Sequence, residues 1–468
     1  MHFRASIFSF ILFCSSIAYA ENPNVVIILV DDMGYGDPGC YNPESKIETP
    51  NIDGLAADGM RFTDAHAPGP LCHLSRYGLM TGTYPFRTNV KVWPEKPVIR
   101  EDEDTIAKLF ARNGYQTAMV GKWHLGFQEN GYENPLPGGP VDCGFQSFLG
   151  IRASTDIPPY FYIRDNKAIE LPTDHIDANT TEGWSPIQGE FWREGGIAPS
   201  LKLEEVTPRF TEEAIRVIEE RDTDKPLMLY LAYPSPHTPW LPSDEFRGTS
   251  EAGLYGDFVT MVDDEIGKVL RALEKAGMTD ETLVVFTSDN GPVWYDEDDE
   301  RLGHDSCGPW RGMKADAWEA GHRMPFIVRW PSTVTAGETA KKTISFTDLF
   351  ATFAEAVGEK LPDTSGPDSF SFLSTLKGER ESFRPPIVMK SGRGLMTIRS
   401  GDWKLIDGPG SGGFSKPDNY TFEKGEPDGQ LYNLASDLGE TENLYSAEPG
   451  LVERLTEEMK TIAGPDLR

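Results

Sequence analysis

The sequence predicts an α/β protein: a large, mostly parallel sheet sandwiched by helices, followed by a smaller C-terminal unit of antiparallel strands with one helix. Three observations carry this. Apolar, β-branched runs at 24–30, 115–120, 227–233 and 282–287 read as strands buried on both faces, the pattern of a parallel sheet. Amphipathic helical stretches separate them, as parallel crossovers require. From about residue 380 the pattern changes to short strand-like segments with tight connections.

The first twenty residues stand outside that fold. Arg4 gives a positive start, 7–18 is an apolar run too short to span a bilayer, and Ala18-Tyr19-Ala20 is a small-residue cleavage pattern. Residues 1–20 are expected to be a signal peptide, with the chain exported to a secreted, periplasmic or lysosomal location. No later stretch reaches transmembrane length, so no membrane anchor is expected. The large unit is expected over 21–379 and the small one over 380–468.

Charge narrows the partners. The chain carries 74 Asp and Glu against 44 Lys and Arg, a net charge of −30. Nucleic acid is excluded as a partner, because phosphate binding needs a basic footprint. An anionic ligand must be met by a local concentration of cationic side chains. After the signal segment the cysteines are Cys40, Cys72, Cys143 and Cys307, too widely spaced to resemble a disulfide scaffold.

Taken in order, the strand at 24–30 runs into Asp31-Asp32-Met33-Gly34, two carboxylates where open α/β sheets bind ligands; an Asx turn is the plainer reading of the same residues. A helix opens at 49–53, with Leu55, Ala56 and Met60 inward. The 68–82 stretch places Cys72 at the start of a short helix. The helix N-terminus and Arg76 both favour an anionic atom at position 72. A lone cysteine in a Pro/Gly loop also reads simply as a small buried residue. A helix over 104–113 leads to the strand at 115–120 and to Lys122 and His124, whose alternation on an extended segment lets both point one way.

Residues 131–200 are irregular and rich in Pro, Gly and aromatics, an insertion expected to shape a substrate pocket. A helix over 206–221 precedes the strand at 227–233, after which prolines stiffen the loop bearing His237. A helix over 256–276 precedes the strand at 282–287, which runs into Asp289-Asn290. Arg311 and Lys314 add positive charge. A strand at 326–330 and a helix at 347–357 close the large unit. The small unit has strands near 386–390, 394–399, 403–407 and 431–434, then a helix over 449–462.

The polar groups beyond the strand ends form a set with definite chemistry. Asp31, Asp32, Asp289 and Asn290 offer only oxygen, which suits Ca²⁺, or Mg²⁺, over zinc. Arg76, Lys122 and Lys314 around one nucleophile suit a tetrahedral oxyanion, sulfate or phosphate. His124 and His237 are available for proton transfer.

At this point the chain resembles the type I sulfatases of the alkaline-phosphatase superfamily. The motifs are V-D-D-M-G-Y-G-D at 30–37, T-P-N-I-D-G-L-A at 49–56, C-H-L-S-R-Y-G-L-M-T-G at 72–82, G-K-W-H-L-G at 121–126, S-P-H-T-P at 235–239, T-S-D-N-G at 287–291, and R-G-M-K with W-E-A-G-H-R-M-P within 311–325. The resemblance implies that a maturation enzyme oxidises Cys72 to formylglycine, and that Asp31, Asp32, Asp289, Asn290 and the modified Cys72 hold Ca²⁺. It implies that Arg76 and His124 hold the aldehyde hydrate, that Lys122 and Lys314 bind sulfate, and that His237 or Lys314 protonates the leaving oxygen. The hydrate then has its own exit from the sulfated intermediate, which a serine ester lacks. The implied substrate is a sulfated carbohydrate, with N-acetylgalactosamine or galactose sulfates the nearest pattern. His175, His304, Asp305, Arg311 and His322 are candidates for sugar contacts, each with a plain reading as a surface or packing residue. One position departs from the family: Leu74 stands where the C-x-P-S-R pattern has proline. Two other readings stay open, a phosphodiester or phosphonate hydrolase and an unconverted, non-catalytic binder of sulfated glycan.

Overall fold

A computed structural model describes residues 22–88, 90, 93–94, 96–379, 383–418 and 425–464. The expected signal segment lies outside the described residues. The core is a ten-stranded sheet. In spatial order its strands are Glu338–Ala340, Met60–Phe62, Phe326–Arg329, Thr282–Ser288, Asn24–Asp31, Leu227–Pro236, Gln116–Lys122, Ser147–Ile151, Ile163–Arg164 and Lys167–Ala168. The five strands from Thr282–Ser288 to Ser147–Ile151 run parallel. Phe326–Arg329 is antiparallel to its neighbours.

The central strand is buried along its whole apolar run, with Val25 through Val30 at most 1% exposed. Burial of each such side chain contributes about 1.5–3 kcal/mol relative to exposure. This is why an unbroken apolar run, not an alternating one, marks the strand. Helices Pro50–Ala57, Val206–Glu219 and Gly253–Lys275 pack as one group, and helices Cys72–Thr81, Ile106–Arg112 and Asp348–Ala356 as another, with the sheet between.

Register brings the strand ends to one edge. Leu29 pairs with Ala232 on one side and Thr287 on the other, and Ala232 pairs with Gly121. Asp31, Lys122, His237 and Asp289 therefore emerge together at the C-terminal edge. Gly121 has φ +117°, and a Cβ there would sit 1.9 Å from the Ala232 carbonyl oxygen. Only glycine permits this approach, and it turns Lys122 into the site.

Several expectations need correction. Ser147–Ile151 lies in the stretch read as irregular, yet it is a full member of the sheet. Met60 is buried on strand Met60–Phe62 and is not part of the preceding helix. Lys122 ends its strand, and His124 has φ +58°, so extended alternation does not relate the two.

The C-terminal sheet has strands Ile387–Lys390, Met396–Ser400, Trp403–Ile406 and Gln430–Asn433, all antiparallel. Helix Pro449–Ala463 covers it, packing Leu455, Met459 and Ala463 against Val388, Ile398, Leu405 and Leu431. Among the described residues no helix is long and apolar enough to cross a membrane.

Candidate active site

The site is assembled from the helix at 72–81 and from the strand ends facing it. Leu71 is the extended N-cap (φ −142°), and the Ser75 N–H donates to the Leu71 carbonyl at 3.0 Å to close the first turn. Cys72 is thus the first helical residue, buried at the positive end of the helix. The thiol is nevertheless not poised as an anion. Burial pushes its pKa up to about 11, against the opposing pull of Lys122 and Lys314. The Arg76 guanidinium points at Asp289. Its Nε and Nη2 lie 2.9 Å and 2.7 Å from Asp289 Oδ2, and its Nη1 donates to the Lys122 carbonyl at 2.8 Å.

The two lysines hold the two adjacent aspartates. Lys122 Nζ donates to Asp31 Oδ2, and to Ser154 Oγ at 2.5 Å. Lys314 Nζ lies 2.6 Å and 2.8 Å from the two oxygens of Asp32. Asp32 has φ +63°, a conformation tolerated by aspartate. The Tyr255 hydroxyl donates to its carbonyl at 3.2 Å, and Tyr255 is itself tied to Asp37 at 2.5 Å. Asn290 Nδ2 donates to Asp32 Oδ1 at 2.6 Å. His237 donates from Nδ1 to the Thr238 carbonyl at 2.7 Å, which leaves Nε2, 3.5 Å from Asp32 Oδ2, facing the site. The His124 and His73 rings lie 5.7 Å apart. Burial and the nearby lysines push both far below the ordinary histidine range, His73 to about 3.

The arrangement of donors fits a divalent cation. Asp31 Oδ1 and Asn290 Oδ1 are buried and accept no hydrogen bond. Ligand atoms of Asp31, Asp289 and Cys72 all lie within 4.8 Å of one another. Although burial alone would raise it, Lys122, His237 and Arg76 hold the Asp31 carboxyl well below the usual range. Burial and the Asp31 charge push Asp289 up to about 6. Carboxylates crowded together with orphaned oxygens are the donor set of a hard divalent cation, so the residues present fit Ca²⁺ or Mg²⁺. A second cluster of potential ligands, His66, Glu319 and His322, does not fit a metal. Lys404 Nζ sits 3.1 Å from Glu319 and 3.3 Å from His322, and Arg399 is 3.5 Å from Glu319.

One cavity reaches a residue of the site, and a second opens beside Met313, the neighbour of Lys314. The first, of about 660 Å³, reaches His124 and is bordered by Trp93, Lys96, Gln128, Asn130 and Arg152. The second, of about 690 Å³, is bordered by Trp294, Trp310, Arg393 and Phe414. Of the proposed sugar contacts, His304 is buried against Asp37 at 2.9 Å and His322 against His66 at 2.9 Å, so both are packing residues. Arg311 stacks on Trp318 and donates to the Glu440 carbonyl at 2.7 Å. Asp305 accepts the N–H groups of Cys307 and Gly308 in its own turn. His175 is exposed on the hairpin strand Asp174–Ile176. Cys40, Cys72, Cys143 and Cys307 are all free.

Sequence reasoning missed Ser154 and gave Asp156 no role beyond its place in the 131–200 insertion; both follow the unread strand Ser147–Ile151. Ser154 accepts from Lys122, and Asp156 Oδ1 lies 3.8 Å from His237 Nδ1. The signal that finds them is the same as elsewhere: polar residues just past a parallel strand.

The fold and its strand-end site define an alkaline-phosphatase-like α/β hydrolase. A family model described as Sulfatase matches residues 23–359. An N-acetylgalactosamine-6-O-sulfatase of Bacteroides thetaiotaomicron is 32% identical over 95% of this chain and 93% of its own length. Human arylsulfatase A is 31% identical over 96% of this chain and 88% of its own. A solved structure from work on the metabolism of multiple glycosaminoglycans by Bacteroides thetaiotaomicron superposes with a TM-score of 0.82 at 31% identity, covering 94% of this chain and 99% of that one. The chain belongs to the sulfatase family and is a sulfuric ester hydrolase.

Proposed function

We propose that this protein is an exported, formylglycine-dependent hydrolase that removes sulfate from a sulfated carbohydrate, an N-acetylgalactosamine or galactose sulfate. The observation that carries the reading is the pair of orphaned buried oxygens, Asp31 Oδ1 and Asn290 Oδ1, set among three carboxylates beside Cys72 and two lysines. A metal site facing a cysteine, flanked by fixed cations, fits an oxyanion ester and serves no evident structural purpose. The names of the relatives support the sugar: one acts on the 6-O-sulfate of N-acetylgalactosamine, and a neighbour of TM-score 0.74 at 25% identity, Ps i-CgsB, was solved in complex with k-i-k-neocarrahexaose.

Asp31, Asp32, Asp289 and Asn290 would hold Ca²⁺, which supplies positive charge for the sulfate oxygens. Oxidised by a formylglycine-generating enzyme, position 72 supplies an aldehyde hydrate, one hydroxyl to take the sulfuryl group and the other to release it. The remaining roles belong to the side chains as they stand. Lys122 and Lys314 keep fixed positive charge at the reacting centre. Arg76 locks Asp289 and the Lys122 carbonyl, and so ties the helix to two strand ends. His237, its Nδ1–H spent on Thr238, presents Nε2 for the proton that the leaving sugar oxygen needs. His124, neutral in its buried setting, is suited to orient the hydrate.

The test is release of inorganic sulfate by protein co-expressed with a formylglycine-generating enzyme. N-acetylgalactosamine 6-sulfate is compared with the matching phosphate monoester and with a phosphodiester. The expected result is turnover of the sulfate ester at least tenfold above either phosphate. Faster phosphodiester cleavage contradicts the reading, and so does binding of the sulfated sugar without turnover.

A further inference from the structure

Lys314 is held by a turn that the C-terminal sheet grips from outside. The next residue, Ala315, has φ +72°, a left-handed conformation that is strained for a residue with a Cβ. Backbone contacts hold it there. The Ala315 N–H donates to the Pro70 carbonyl at 2.7 Å, two residues ahead of Cys72. The Ala315 carbonyl accepts the Gly392 N–H at 2.8 Å, and the Ala317 N–H donates to the Ser411 carbonyl at 2.7 Å. Asp316 adds its side chain: Oδ1 accepts the N–H groups of Phe414 and Ser415 at 2.7 Å and 3.1 Å, and Oδ2 accepts that of Met313 at 2.9 Å.

Gly392 follows strand Ile387–Lys390, and residues 411–415 lie between strands Trp403–Ile406 and Gln430–Asn433. The C-terminal sheet thus supplies one side of the turn, and the loop before Cys72 supplies the other. The packing at Gly392 is tight. A Cβ there would come within 2.9 Å of Ala315 Cβ, 3.2 Å of the Ala315 oxygen and 3.3 Å of Leu71 Cδ1. Leu71 is the N-cap of the Cys72 helix. Gly392 itself is not in the left-handed region, so its missing side chain serves close approach and not backbone freedom.

We infer that Gly392 is a positioning residue for sulfate ester hydrolysis: through Ala315 and Leu71 it fixes Lys314 and Cys72 relative to one another. The C-terminal sheet is therefore part of the machinery that aims the active site. The inference rests on the reading of Lys314 as a sulfate-side lysine.

The test uses the full, converted protein and three variants: G392A, A315G and the double variant. Each is assayed for kcat and KM with p-nitrophenyl sulfate, for inhibition by inorganic sulfate, and for thermal melting. The expected result for G392A is a kcat at least tenfold lower, weaker sulfate inhibition and a KM changed less than kcat, since small displacements of reacting groups cost about that much. A315G, which suits φ +72° and keeps the backbone hydrogen bonds of the turn, lowers kcat by less than G392A does. In the double variant the 2.9 Å contact is gone, and kcat returns to within about threefold of wild type. The inference is overturned by wild-type kcat in G392A, by a double variant no better than G392A, or by A315G alone falling as far as G392A. Should G392A not fold, D316N provides the second route, expected to lower kcat and sulfate affinity together; an unchanged D316N overturns the inference. Wild-type protein without sulfatase turnover would sink the functional reading itself, whereas active wild type with an unaffected G392A sinks only the positioning role.

Discussion

Lys314 Nζ sits 2.6 Å and 2.8 Å from the two oxygens of Asp32, so this lysine occupies the carboxylate that a divalent cation would use. The two positive charges compete for one ligand. Removing the lysine charge leaves Asp31 and Asp32 less neutralised. K314M is therefore expected to bind Ca²⁺ several-fold more tightly by calorimetry while its turnover falls about a hundredfold or more, the usual scale for losing a transition-state electrostatic contact. Equal or weaker Ca²⁺ affinity in K314M would contradict this placement of the cation.

The oxygen-only donor set makes a second prediction. Dialysis against a chelator is expected to abolish turnover, and Ca²⁺ or Mg²⁺ to restore it. Zn²⁺ should restore much less, because Asp31, Asp32, Asp289 and Asn290 offer no nitrogen. Full activity after exhaustive chelation would remove the cation from the account.

Leu74 is the third position of the helix at 72–81, and the first helical hydrogen bond belongs to Ser75. Its own N–H is therefore not needed by the helix, and proline is tolerated in a first turn. L74P is expected to fold with a melting temperature within a few degrees of wild type. It is also expected to raise the fraction of position 72 converted to aldehyde, measured by mass spectrometry. A lower fraction in L74P would mean that leucine is no handicap to maturation.

Glu440 supplies a pH test. It lies buried behind the site, with Oε1 2.9 Å from Lys404 and Oε2 accepting the Glu319 N–H at 2.8 Å. Burial, with Glu319 sharing the same lysine, pushes its pKa up from 4.5 to about 7. A raised carboxyl means that the folded state binds the proton more tightly than the unfolded chain. This contribution to stability is complete below about pH 4.5 and is lost as pH rises through about 7, with an upper bound on the order of 3 kcal/mol. E440Q has no such proton to lose. Relative to wild type it should gain melting temperature between about pH 5 and pH 7 and level off above that. Parallel melting curves for the two proteins would show that Glu440 is ionised throughout.

Much of this site was readable because its residues follow long apolar strands. Asp31, Lys122, His237 and Asp289 each sit past a run whose burial is written in the sequence, and parallel register then brings them together. Ser154 and the role of Asp156 escaped because Ser147–Ile151 is short and interrupted by Gly150, so no apolar run announces it. The acidity of Cys72 was misjudged for a different reason. Helix position and charge spacing are local, whereas burial is a property of the assembled core, and burial prevails. The turn at Ala315 was equally hidden, since contacts from Pro70, Gly392 and Ser411 set it and none of these is near in sequence.

The central claim is that position 72 carries the nucleophile as an aldehyde. Its most direct test is a mass spectrum of the tryptic peptide Phe62 to Arg76, taken after thiol alkylation of protein co-expressed with a formylglycine-generating enzyme. The predicted result is a peptide that resists alkylation, has lost the cysteine sulfur and reacts with a hydrazide. An alkylated cysteine as the sole product would contradict the account and leave glycan binding without turnover as the better description.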